Sequence, residues 1–432
     1  MKKHKILYMT LLTLLMIGAL VSCQKKEEVT ESVSKEETKA VVEEKEKEDL
    51  EETVSYEDGI YFASEDKFSS NGWKYVVTLT IEDGKISKAD WNGVNVNAGP
   101  SKKAIDKAGK YNMKAFGGAQ SEWSEQAKEA EEYLIEVQDP SKINYIDDEG
   151  HTDDIAGVSI HVVEFFNLAQ KALDNGPVGK GMYEDGAYFK IDSEFPDSGW
   201  KSYVALTVIN GNIVGANWSA INKMGEDKKL YDAAGKYNMV KYGGAQSEWS
   251  EQAQKAEQYL ISIQDPSKVE YSDDEGHTDA ISGVSIHIDS FISLADAALK
   301  ASPVSVGPYK DGGYYATKDT FSNGWKEYVS LLVKNGNIVD VYWSAINEDG
   351  EDKKAVDMEG NYNMVKFGGA QFEWYEQAAK TEEYLIETQD LSAISYKDDD
   401  GHTDDISGVS IHVNSFYQLV DDALNNGVVT IE

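Results

Sequence analysis

The chain has 432 residues, of which 41% are hydrophobic and 11% aromatic, enough apolar material for real cores. It carries 77 acidic against 41 basic residues, a net charge of −36. That balance argues against nucleic acid as a partner and against docking of the protein body on anionic lipid head groups. Cys23 is the sole cysteine, so no intrachain disulfide can form. Thiolate-held iron–sulfur clusters and Cys-x-x-Cys-His haem attachment are excluded with it.

The chain begins Met1-Lys2-Lys3-His4-Lys5, followed by an apolar run over residues 6–21. The run is short and N-terminal, as in a secretory signal rather than a membrane span. It closes on Leu20-Val21-Ser22-Cys23, which resembles a lipobox. The resemblance implies removal of residues 1–22, a diacylglyceryl group on Cys23, and a protein held at the membrane outside the cytoplasm. Residues 23–55 are rich in Glu, Lys, Val, Ser and Thr. Such a stretch buries little and is expected to be a solvated tether, disordered or helical.

Beyond this stalk the sequence repeats three times. Asn71-Gly72-Trp73-Lys74 returns as Ser198-Gly199-Trp200-Lys201 and Asn323-Gly324-Trp325-Lys326. Gly117-Gly118-Ala119-Gln120 returns at Gly243-Gly244-Ala245-Gln246 and Gly368-Gly369-Ala370-Gln371, and the nine Trp fall into three equivalent sets. A period of about 125 residues is domain-sized. Three domains are expected, over residues 56–176, 183–301 and 309–432, each able to fold alone. Short linkers should carry Asn175-Gly176-Pro177 and the stretch from Ser302-Pro303 to Pro308.

Each repeat reads as α+β. In the first, Val77, Leu79 and Ile81 alternate onto one face of a strand. Asp83-Gly84 then marks a tight hairpin turn, with Asn210-Gly211 in its place in the second repeat. The return strand is expected to end at Trp91, Trp218 or Trp343. Trp123, Ala127, Ala130, Leu134 and Val137 fall on one face of a helix that Asp139-Pro140 stops. A last helix, expected from about Ser159, carries Val162, Phe165, Phe166, Ala169 and Leu173. Strands and helices are segregated, which disfavours a doubly wound parallel sheet.

One segment concentrates the chemistry. It runs from His151 through Asp153, Gly157 and Ser159 to His161, and holds six of the seven histidines in its three copies. The second copy has His277, Asp279, Gly283, Ser285 and His287; the third has His402, Asp404, Gly408, Ser410 and His412. A Gly lets a ligand approach the backbone. If the Ser opens a helix, unpaired N–H groups there suit a phosphate, and the hydroxyl lies beside it. Equally, the Ser could be only an N-cap.

The segment Asp-Ala-Ile-Ser-Gly-Val-Ser, residues 279–285, resembles the Asp-x-x-Ser-Gly-Ala-Thr motif of the FMN-binding domain family. In that family a flavin transferase uses FAD to join FMN, through its phosphate, to the final Thr or Ser. The resemblance covers all three repeats. It implies Ser159, Ser285 and Ser410 as flavin acceptors, with Asp153, Asp279, Asp404 and Gly157, Gly283, Gly408 as the other motif positions. Two departures stand out: Ser replaces the commoner Thr, and Val replaces the preceding Ala. The first repeat also has Ala156 where the others have Ser282 and Ser407.

His161, His287 and His412 are expected to hydrogen-bond a phosphate, the flavin or their own loop. Paired histidines with an Asp between them could instead hold zinc, although the spacing is not a standard zinc pattern. Trp123, Trp249 and Trp374 could stack on a flavin ring, but their helical spacing suits core packing. No nicotinamide fingerprint, nucleophile elbow or zincin motif is present. The resemblances therefore imply a non-enzymatic, lipid-anchored electron carrier with FMN as cofactor. Its partners would be the membrane, a flavin transferase, and redox proteins or external acceptors. The alternatives are a surface binding or adhesion lipoprotein that keeps the fold without flavin, and a metal-binding lipoprotein.

Overall fold

The computed structural model describes residues 55–431. The signal segment, Cys23 and nearly all of the stalk lie outside the described residues. Among the described residues no helix is long and apolar enough to cross a membrane.

The first repeat contains β1 (Gly59–Ser64), β2 (Trp73–Glu82), β3 (Lys85–Asn95), α1 (Lys102–Lys107), α2 (Met113–Gly117), α3 (Trp123–Val137) and α4 (Val163–Asn175). The second has β4 (Gly186–Ile191), β5 (Lys201–Ile209), β6 (Asn212–Ile221), α5 (Lys228–Ala233), α6 (Met239–Gly243), α7 (Trp249–Ile263) and α8 (Asp289–Leu299). The third has β7 (Gly312–Thr317), β8 (Lys326–Lys334), β9 (Asn337–Ile346), α9 (Lys353–Met358), α10 (Met364–Gly368), α11 (Trp374–Thr388) and α12 (Asn414–Asn426). Each repeat is α+β: an antiparallel meander of three strands with its helices on one face.

The hairpins follow from their turn residues. Asp83 and Gly84 both have positive φ, as do Asn210-Gly211 and Asn335-Gly336. Two successive positive φ values match the right-handed twist of a two-residue hairpin. The return strands run past Trp91, Trp218 and Trp343, to Asn95, Ile221 and Ile346. The long first strands supply pairing partners that far: Trp73 lies opposite Asn95, and Lys201 opposite Ile221.

The long helix starts at Trp123, where Glu122 and Glu125 form a reciprocal capping box. Trp123, Ala127, Ala130 and Leu134 are buried against Val77, Leu79, Ile81 and Trp91. On α3 the buried Glu131 accepts a hydrogen bond from the Trp91 amide and one from Lys103, each at 2.6 Å. Glu257 and Glu382 repeat both contacts. A charged helix position thus locks helix to sheet.

Each repeat has its own core, yet residues 54–432 form one compact unit. The sheet faces turned away from the helices pack on one another. Val76 and Val94 of the first repeat meet Ile209 and Val214 of the second. Gly215 makes room there, since a Cβ would stand 2.5 Å from Val94. Tyr203 and Ile221 of the second repeat meet Leu332 of the third, flanked by a buried Lys201–Asp340 ion pair at 2.7 Å. The middle sheet is consequently buried on both faces, unlike β2, which keeps partial exposure along one side.

The expected linkers are structured too. Val178 and Gly179 donate to the Ile60 carbonyl, and Val304 bridges to Ala187. The chain leaving each repeat thus runs along that repeat's own first strand before meeting the next hairpin.

Candidate functional site

In every repeat α3, α7 or α11 carries a buried glutamine that reaches the motif loop. The Gln126 Oε1 accepts from the Ser159 amide at 2.7 Å and from the Ser159 hydroxyl at 3.2 Å, while its Nε2 donates to the Ser121 carbonyl. Gln252 holds Ser285 in the same way, and Gln377 holds Ser410. The hydroxyls of all three serines lie on exposed residues.

This arrangement corrects the expected helix start. The last helices begin at Val163, Asp289 and Asn414, with Val162, Ile288 and Val413 as N-caps. The serines therefore precede the helix by four residues and are neither caps nor its first turn. Two forces set this. The Val162 amide donates to the Gly150 carbonyl, fixing the cap, and Val158 and Ile160 pack against the core from the loop before it. The serine amide is already paired with glutamine, so it does not add to a helix-end phosphate cradle.

The motif glycines are required by geometry. Gly157, Gly283 and Gly408 have φ of +80°, +74° and +80°, a region other residues enter only with strain. A Cβ on Gly408 would also stand 2.5 Å from Phe372. Asp153, Asp279 and Asp404 are exposed, and Asp404 pairs with Lys397 at 3.0 Å.

The element that sequence reasoning missed is a lysine. Lys102 is only 2% exposed, with its ammonium over the rings of Trp73, Tyr75, Tyr111 and Trp123 at 4.6 to 5.4 Å. Lys353 sits over Trp325, Tyr362 and Trp374, and Lys228 over Tyr237 and Trp249. Among the described residues none of the three makes a carboxylate ion pair. Burial lowers all three from 10.5 to about 8, opposed by nearby carboxylates. Aromatic faces favour the charged form, so each lysine keeps its proton at neutral pH. The available signal was a Lys-Lys pair opening a short helix in each repeat, Lys102-Lys103, Lys228-Lys229 and Lys353-Lys354, one member caged and the other bound to the helix glutamate.

In the third repeat this lysine lines a cleft of about 670 Å³, together with Trp325, Trp374, Tyr362, Ser410 and His412. Trp343 also lines it; its indole N–H is buried without a partner, as are those of Trp91 and Trp218. The expected Trp374 role is thus shared: it packs in the core and borders the cleft. The repeats differ at one wall. Tyr75 of the first stacks on Trp123 and accepts a hydrogen bond from Lys102 at 2.8 Å. Ser202 and Glu327 occupy the matching strand positions.

The two histidines of each segment come together. The rings of His151 and His161, His277 and His287, and His402 and His412 lie edge to face, with centroids 4.4, 4.2 and 4.3 Å apart. The first of each pair is held by an aspartate four residues earlier: His151 by Asp147 at 2.6 Å, His277 by Asp273 at 2.6 Å and His402 by Asp398 at 2.8 Å. The His151 amide also donates to Asp147 and holds that carboxyl below its usual range.

Comparison with known proteins adds likeness without a function. No family model and no curated protein matches the chain. A protein from Clostridium thermocellum, solved in solution by NMR, is 45% identical over 30% of this chain and 98% of its own, with a TM-score of 0.25. A crystallised protein from Clostridium perfringens is 28% identical over 28% of this chain and 88% of its own, with a TM-score of 0.22. Neither description states an activity or a ligand.

Proposed function

We propose that the chain is an extracytoplasmic flavoprotein carrying FMN for electron transfer, lipid-anchored through Cys23. The observation that carries this reading is the cleft of the third repeat. An exposed Ser410 borders a space walled by Trp325, Tyr362 and Trp374 and containing the ammonium of Lys353, which makes no direct ion pair among the described residues although Glu327 lines the same cleft. Its volume suits a ligand of flavin size. Aromatic walls suit a planar ring system, and the ammonium suits an electron-rich or anionic group.

FMN would supply one- and two-electron chemistry. The chain's own residues would hold it: Ser410 through a phosphoester, Gln377 by fixing the serine, and Lys353 by its charge. Attachment forms a bond from Ser410 Oγ to the FMN phosphorus of FAD. It breaks the pyrophosphate, releases AMP and gives the hydroxyl proton to solvent.

The three repeats are not equal in this role. Lys255 and Lys380 approach the motif loops of the second and third repeats, at 3.3 Å from the Gly283 carbonyl and 3.5 Å from the Ser407 carbonyl. The first repeat has Glu129 at that helix position, Ala156 in its motif and Tyr75 against its lysine. These features favour, for the first repeat alone, a domain that keeps the fold without flavin. Ser285 and Ser410 are the acceptors, with Ser159 the weakest.

Coexpression with a flavin transferase, followed by denaturing-gel fluorescence and peptide mass mapping, tests this. Ser285→Ala and Ser410→Ala should each remove one covalent flavin while far-UV circular dichroism stays unchanged. Absence of flavin from the parent chain, while a Thr-containing domain in the same cells is labelled, would move the binding-protein reading ahead.

A further inference from the structure

The paired histidines have a geometry the flavin reading does not use. In the first repeat one donor atom each from Glu149, His151 and His161 lies within 4.8 Å of the others. Glu275, His277 and His287 repeat this in the second. In the third, Asp398, Asp400 and His402 form the group, and His412 packs its ring against His402. The loop that carries the first His is built rather than loose. Asp147 Oδ1 accepts from the amides of Glu149 and His151, and the buried Gly150 takes φ +87° beside Val163.

The Asp–His contact decides how the ring is used. A neutral His151 donates through Nδ1–H to Asp147 and leaves Nε2 as a lone-pair donor. A carboxylate behind an imidazole in this way fixes the tautomer and raises the basicity of the free nitrogen. The same pair stands behind His277 and His402. Two imidazoles and a carboxylate select first-row transition dications over calcium or magnesium, which favour all-oxygen shells. Tetrahedral coordination at ~2.0–2.1 Å needs donors only about 3.3 Å apart, so the exposed arms of Glu149 and His161 must draw inward.

We propose that each repeat binds one transition-metal dication of the zinc type, through Glu149, His151 and His161 in the first, Glu275, His277 and His287 in the second and, at the matching positions of the third, Asp400, His402 and His412. Three protein ligands leave a position open for water or for an anionic group. In the third repeat His412 also lines the cleft assigned to flavin, so the proposal is tested on flavin-free protein.

The full chain carrying Cys23→Ala, which removes the sole thiol, is purified in detergent and titrated with Co²⁺ followed by Zn²⁺. The expected result is visible d–d absorption saturating at three Co²⁺ per chain, displaced by Zn²⁺ and unaffected by excess Ca²⁺. His161→Ala, His287→Ala and His412→Ala lie at exposed positions; each should remove one equivalent, and the triple variant should remove all. Asp147→Asn should weaken one site roughly tenfold to a hundredfold while keeping the stoichiometry. Binding that survives the triple His variant would overturn the proposal, as would binding that Ca²⁺ abolishes, which marks a diffuse acidic surface. Absence of saturable absorption would overturn it as well.

Discussion

Replacing Lys353 by Met should make the protein more stable at neutral pH while impairing its cleft. The ammonium of Lys353 is buried among Trp325, Tyr362 and Trp374, and burial lowers it from 10.5 to about 8. A displacement of that size corresponds to about 3 kcal/mol of folding free energy opposed to the charged form. Methionine keeps the apolar stem and removes the charge. That figure already contains the attraction of Glu327 and Asp357; the attraction of the aromatic faces is lost with the charge and returns part of the gain. A net stabilisation of about 1–2 kcal/mol at pH 7 remains. The pH dependence gives a sharper check. The folded-state value lies below the unfolded one, so the penalty is complete below pH 8. Between 8 and 10.5 the unfolded chain holds a proton the folded chain has released, so wild-type stability rises with pH relative to the variant. Urea unfolding of both proteins from pH 7 to pH 10 measures the difference, which cancels the tyrosines they share. The reasoning fails if Lys353→Met destabilises at pH 7, or if the gap between the proteins does not narrow toward pH 10.

Lys201→Ala should cost about 3–5 kcal/mol in urea unfolding, because it strands the buried Asp340 carboxylate. Lys201→Met with Asp340→Leu should recover most of that loss. Residues 183–301 alone expose Tyr203, Ile209, Val214 and Ile221, so this fragment should self-associate by light scattering and unfold at lower urea than the full chain. Gly157→Ala meets open space and should cost only about 1 kcal/mol of positive-φ strain, whereas Gly408→Ala also meets Phe372 and should cost more. Equal losses in thermal melts would show that the Phe372 contact yields freely.

Much of the fold was legible because its signals are local. The alternation of Val77, Leu79 and Ile81, the Asp83-Gly84 turn and the spacing from Trp123 to Leu134 each fix an element without reference to distant residues. The helix start near Ser159 was misplaced because its determinants are tertiary. Gln126 lies 33 residues away, and nothing in the motif announces that its side chain will take the serine amide. The caged lysines were hidden for the same reason. A Lys-Lys pair on an acidic, charged surface reads as solvated, and only packing divides it into one caged cation and one ion-paired cation. Self-contained repeats were the natural expectation from period and linker composition. The second hydrophobic face of β5, where Tyr203, Ala205 and Ile209 alternate with Val204, Leu206 and Val208, was the sign that the repeats also pack on one another.

That doubly covered middle sheet also constrains the history of the chain. Beads on a string gain or lose a unit by recombination without consequence for the rest. Here, excision of the second copy would uncover Val76 and Val94 on one side and Leu332 on the other, and leave Asp340 without its lysine. Insertion of another copy would have to reproduce both the Ile209–Val214 surface and the Tyr203–Ile221 surface. The middle copy is therefore held in place by interlocking, and drift in it is answerable to both neighbours.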